Sequence, residues 1–121
     1  MPDDLTPQMN AFLDKVAEAG IPKVQDLPPQ AARDLIEALT VARLKDYPSP
    51  EVHSVETLSS GPGYGHVPVR IYRANDQKNT PVIVYFHGGG HVFGSLDSHD
   101  TACRFLCRTV SCAVVALDYR M

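Results

Sequence analysis

The chain has 121 residues and a mass of 13.2 kDa, enough for one small domain or a piece of a larger one and too short for the roughly 200–300-residue sheet domains of large hydrolases. Its 44% hydrophobic and 21% charged residues describe a globular rather than a disordered polypeptide. A net charge of −3, with eleven scattered basic residues, leaves no phosphate-tracking footprint and argues against a nucleic-acid partner.

The acidic start Met1-Pro2-Asp3-Asp4 is unlike a secretory leader, and no apolar run reaches the length of a membrane span. The sequence reads as soluble and cytoplasmic. Cys103, Cys107 and Cys112 form an odd, clustered set, which suits reduced thiols and not a disulfide framework.

In chain order, the first predicted element is a helix from Thr6 to Gly20. Thr6 can cap it, Pro7 suits its first position, and Met9, Phe12, Leu13, Val16 and Ala17 recur at helical spacing. A second helix begins near Pro29 and presents Ala32, Leu35, Ile36, Leu39 and Ala42 on one face, until Tyr47-Pro48-Ser49-Pro50 breaks it. Two short helices cannot bury those stripes alone, so they are expected to lie either on each other or on a larger body. Residues 1–50 are thus read as a helical cap and 51–121 as the first part of a core domain.

After Pro50 the period shortens to that of strands. Val52 to Leu58, the turn Gly61-Pro62-Gly63-Tyr64-Gly65, and Val67 to Arg73 predict an antiparallel hairpin. Pro81 to Phe86 is a continuous β-branched run, which predicts a central strand covered on both faces. Ser98 to Val110 follows as a helix and Cys112 to Leu117 as a second buried strand. The order strand, loop, helix, strand predicts a mostly parallel, helix-covered sheet of the α/β class.

The residues that carry chemistry sit directly after the first of those strands, at His87-Gly88-Gly89-Gly90. Three consecutive glycines contribute nothing to a core and cost conformational entropy. Their presence asks for unusual dihedrals or for a ligand very close to the backbone. A glycine loop at the carboxyl end of a parallel strand can aim main-chain N–H groups at one point, where they would stabilise charge developing on an ester carbonyl.

The string Val84-Tyr-Phe-His-Gly-Gly-Gly-His-Val-Phe-Gly94, with Ser98-His99-Asp100 and Asp118-Tyr119-Arg120 after it, resembles the hormone-sensitive-lipase-like branch of the α/β-hydrolases. The likeness covers about residues 50–121, and the leading helices look like the N-terminal cap of the same enzymes. It implies that Gly88, Gly89 and Gly90 form an oxyanion hole, that His87 braces the loop, and that His91, Val92 and Phe93 border the substrate pocket. At His91 that family often has a bulky aromatic. The resemblance further implies a carboxylic ester hydrolase with a Ser-His-Asp triad, small ester substrates of short or medium chain, no cofactor and possible homo-oligomers. No G-x-S-x-G elbow occurs in the 121 residues, so the nucleophile, acid and base are expected downstream, and the segment alone is expected to be inactive. A binding module or dead fragment keeping only this half of the fold is the alternative. The isolated segment is also expected to associate or stay molten, because its sheet would keep an open edge and face.

Other readings compete for the same residues. A phosphate loop would need G-x-G-x-x-G or a following Lys-Ser/Thr, and neither is present. His87, His91, Asp97, His99 and Asp100 suggest a metal, but His87 has its bracing role and Asp97, Ser98 or Asp100 can start the next helix. His99, Cys103 and Cys107 share a helical face at ligand-like spacing, yet buried free cysteines usually pack as small hydrophobes. Ser95, Asp97 and His87 could be drawn as a triad, but Ser95 lacks the strained elbow that would activate it.

Overall fold

The computed structural model describes residues 5–59, 61 and 65–121. Helix α1 spans Pro7–Glu18, with the Thr6 hydroxyl accepting from Met9 N and Gly20 at φ +60° just past the end, both as the sequence predicts. A 3-10 turn at Val24–Asp26, which the sequence reading does not contain, leads into α2 at Pro29–Asp46. The strands are β1 (Ser54–Ser59), β2 (Pro68–Arg73), β3 (Val82–Phe86) and β4 (Ala113–Leu117), with α3 (Asp100–Val110) between the last two.

The four strands form one sheet in the order β1-β2-β4-β3. β1 and β2 are the predicted antiparallel hairpin; most of its turn, Pro62 to Tyr64, lies outside the described residues. β4 runs antiparallel to β2 and parallel to β3, with Phe86 opposite Leu117. The parallel unit is therefore present, and β4 is its interior strand.

One expectation fails in detail. β3 is the outer strand of the four, and Val82, Val84 and Phe86 stay more than half exposed while Ile83 and Tyr85 turn toward the helix side. An apolar run announces that both faces can be covered, but among the described residues only one face carries a helix.

That helix is α3. Cys103 and Cys107 are fully buried against Tyr72, Cys112, Val114 and Ala116, and these form the core together with Leu96. Burial pushes the Cys103 thiol up to about 11, and Cys107 Sγ donates to Cys112 O at 3.1 Å, so the thiols act as packing groups. Helices α1 and α2 are held more loosely. On α2 the fully buried residues are Ala32 and Thr40, whose hydroxyl donates to Ile36 O, while the expected stripe member Ala42 is exposed. On α1 no residue is buried. No helix among the described residues is long and apolar enough to cross a membrane.

Candidate active site

Parallel pairing brings the carboxyl ends of β3 and β4 side by side, and the glycine loop leaves from one of them. In open α/β sheets this is where ligands bind. His87, the first residue past β3, is buried. Its ring stacks on Tyr119 with centroids 4.3 Å apart, and its carbonyl accepts a short hydrogen bond from the Tyr119 hydroxyl. Nδ1 of His87 lies 3.0 Å from Gly88 O, while buried Nε2 has no hydrogen-bond partner among the described residues and sits 3.8 Å from Asp118 Oδ1.

The glycines divide into different jobs. Gly89 sits at φ +136°, and a Cβ there would run into the Phe93 carbonyl. Gly90 and His91 follow in the left-handed region at φ +60° and +59°, so the chain reverses and Gly89 O accepts from Val92 N and Phe93 N at 3.0 and 3.1 Å. This turn consumes the amides of 92 and 93. The Gly88, Gly89 and Gly90 amides donate to none of the hydrogen-bond acceptors among the described residues. At Gly88 a Cβ would meet open space.

A fourth glycine, quoted in the sequence motif but given no role there, completes the loop. Gly94 has φ +109°, and a Cβ there would lie 2.5 Å from both Gly88 O and His87 Nδ1. Only a residue without a side chain lets the returning strand of the loop lie on the outgoing one.

Beyond Gly94 the chain is held by polar contacts. Ser95 and Ser98 bond reciprocally, Ser95 N to Ser98 Oγ at 2.8 Å and Ser98 N to Ser95 Oγ at 3.0 Å. This closed turn explains why α3 starts at Asp100 and not at Ser98. Asp100 accepts from the Tyr72 hydroxyl at 2.9 Å and from Arg104 at 2.6 Å, and Arg70 pairs with Asp97 at 2.8 Å. Burial and the Asp100 bond push the Tyr72 phenol well up, so it stays a donor. His99 lies 5.4 Å from the His87 ring, and burial, then the neighbouring His87, lowers its pKa.

Two hollows flank the loop. One, of about 400 Å³, is bounded by Val24, Leu27 and Pro29 on one side and Gly89, Gly90, Val92 and Phe93 on the other. The second, of about 350 Å³, lies between Ile36, Leu39 and Thr40 of α2 and Gly88, Gly89, Phe93 and His99. Val92 and Phe93 line these hollows, whereas His91 is exposed, borders neither, and meets Tyr119 edge-on at 6.3 Å.

A sequence profile described as the alpha/beta hydrolase fold matches residues 83–121. The chain has the α/β-hydrolase fold. Its likeness to esterases extends over the whole length: it is 34% identical to an ethyl acetate hydrolase of Pseudomonas putida over 97% of this chain and 39% of that protein. It is also 43% identical to the carboxylic ester hydrolase LipN of Mycobacterium tuberculosis, over 61% of this chain and 20% of that one. Among solved structures, a hyperthermophilic esterase from Pyrobaculum calidifontis superposes with a TM-score of 0.82 at 34% identity, covering all of this chain and 37% of that one. The chain therefore spans well under half the length of these relatives.

Within this α/β-hydrolase segment the competing assemblies come apart. The Ser95 hydroxyl donates to Glu37 Oε1 at 2.7 Å and Asp97 is committed to Arg70, so neither addresses His87. Cys103 and Cys107 are in the core, and His99 stands at the mouth of α3.

Proposed function

We propose that the full-length protein is a carboxylic ester hydrolase acting by acyl transfer, and that Gly88, Gly89 and Gly90 supply its oxyanion hole. The observation that carries this reading is a row of glycine amides that donate to no acceptor among the described residues, at the carboxyl end of β3 and beside two hollows. Main-chain donors held in advance cost no reorganisation when the carbonyl oxygen becomes an anion, and one such donor contributes about 10²–10³-fold in rate. His87, packed on Tyr119, keeps the loop in register. Val92 and Phe93 shape the pocket, and His91, exposed and outside both hollows, is not assigned to it.

In this reading a serine attacks the ester, a histidine takes its proton and an acid orients the histidine. No G-x-S-x-G is present in the 121 residues, so that triad is assigned to residues outside them. Small esters are the proposed substrates, in keeping with relatives named for ethyl acetate and carboxylic esters. Protein-only catalysis by a soluble, cytoplasmic enzyme that can self-associate is part of the same proposal.

The test is hydrolysis of p-nitrophenyl acetate and butyrate by the full-length protein beside the 1–121 polypeptide. Turnover is expected from the first, and none above buffer from the second. An inactive full-length protein, or burst release from the short one, would overturn the assignment.

A further inference from the structure

The cap helix α2 and the glycine loop meet through two polar bonds made by residues one helical turn apart. Arg33 Nε donates to Val92 O at 2.7 Å, and Glu37 Oε1 accepts from the Ser95 hydroxyl at 2.7 Å. Positions i and i+4 lie on one helix face, so both bonds reach the same stretch of loop and bracket Phe93 and Gly94. That stretch is in turn locked to the oxyanion glycines. Gly89 O holds the amides of Val92 and Phe93, and Gly94 lies on Gly88 O.

We propose that Arg33 and Glu37 are positioning residues: they transmit the placement of the cap to the Gly88–Gly90 amides, so that cap and oxyanion hole move as one unit. This rests on the esterase reading above for its catalytic consequence, though not for the mechanical link itself. Three features carry it. First, both contacts involve charged groups, and bonds of that kind are the stronger ones at a half-exposed surface. Second, α2 is otherwise lightly held, with Ala32 and Thr40 as its buried residues, so polar contacts carry a large share of its placement. Third, Glu37 feeds into a continuous chain: Ser95 Oγ reaches Ser98, Ser98 Oγ lies 3.0 Å from His99 Nδ1, and the His99 ring is 5.4 Å from His87. Displacing Glu37 therefore disturbs the loop at its far end as well.

The consequence is a link between occupancy and catalysis. Both hollows are walled by cap residues on one side and by Gly89 and Phe93 on the other. A ligand that spreads the cap would pull Val92 and Ser95 with it and tilt the glycine amides. A ligand that fits leaves them aimed.

The experiment uses the full-length protein with Arg33→Met and Glu37→Leu, and the conservative Arg33→Lys and Glu37→Gln, which keep a donor and an acceptor. Amide hydrogen exchange over residues 88–95 is measured beside kcat and KM for p-nitrophenyl acetate. For Arg33→Met and Glu37→Leu we expect exchange in that segment to rise about tenfold and kcat to fall about tenfold, with KM within about twofold. The conservative pair should recover most of both, with melting curves like the parent's. Unchanged exchange and unchanged kcat would overturn the proposal, as would a rise in KM alone, which would make these residues mere pocket walls. A parent that hydrolyses no ester would sink the esterase reading, and the exchange measurement would still decide the tether.

Discussion

The segments Pro7–Asp46 and Val82–Leu117 both carry apolar stripes at regular spacing, yet they use them differently. α3 buries Cys103 and Cys107 completely against β2 and β4, whereas Met9, Phe12 and Val16 of α1 stay exposed. α3 has the more sharply one-sided stripe of the two, yet a stripe is buried only where a surface meets it. What differs is the partner surface: α3 lies over a sheet whose helix-side residues, Tyr72, Val114 and Ala116, converge on it, and α1 has no such floor among the described residues. The sheet segment is held by close packing and the helical segment by edges and polar contacts. The glycine loop lies where the two regimes meet.

The largest effect should come from Gly89→Val in the full-length protein. A β-branched residue resists the positive φ and meets the Phe93 carbonyl, so kcat should fall on the order of 10²–10³-fold while KM changes little. Steady-state kinetics decides it, and an unchanged kcat would remove Gly89 from the hole. Next, Val114→Ala, at a site with no exposure, should cost about 2 kcal/mol in a urea melt. A loss below about 0.5 kcal/mol would mean that the sheet segment is not the tightly packed half.

Tyr119→Phe sharpens the contrast at the boundary. It keeps the stack on His87 and removes the hydroxyl bond to the His87 carbonyl, which should cost about 1 kcal/mol and show as a kcat loss of up to about tenfold. Equal kcat in Tyr119→Phe and parent would leave bracing to the ring alone.

The titration of His99 offers a smaller effect. Burial and His87 lower its pKa, so near and below the ~6.5 of an unfolded-chain histidine the unfolded state binds the proton that the folded state resists. Stability should therefore decline as pH falls through that value, and a carbon-detected NMR titration should place His99 below it. A midpoint at or above ~6.5 contradicts the burial seen here. Phe12→Ala should be the least consequential, within about 0.5 kcal/mol, because the ring is already exposed. A loss of several times that would show that α1 is packed in solution.

Legibility in the sequence followed the same division. Where one element answers to its own pattern, as in Thr6 capping α1 or the apolar run of β4, prediction and structure agree. The oxyanion candidates were visible because three glycines after a strand have few other uses. Residues whose roles depend on partners far along the chain were not. The sequence reading gives Arg33 and Glu37 no role, and nothing local ties them to Val92 and Ser95. Gly94 looked like a loop residue until the His87 ring was seen beneath it. β3 was read as central because periodicity reports which faces can be covered and not which strand lies beside it. The 3-10 turn at Val24–Asp26 and the two-residue delay of α3 came from local side-chain and turn chemistry that hydrophobic spacing does not register.

The direction of β4 has a consequence for how the chain reaches this structure. β4 pairs with β2 on one side and β3 on the other, so Arg73 comes to lie opposite Ala113 only after all of β3, the glycine loop and α3 have been spanned. The hairpin β1-β2 closes a short loop and can form within microseconds, but by itself it is marginal in water. Closing the long loop is entropically costly until α3 has shortened the path and brought β4 to β3. The topology predicts that docking of the β3-α3-β4 unit onto the hairpin is the slow step of folding.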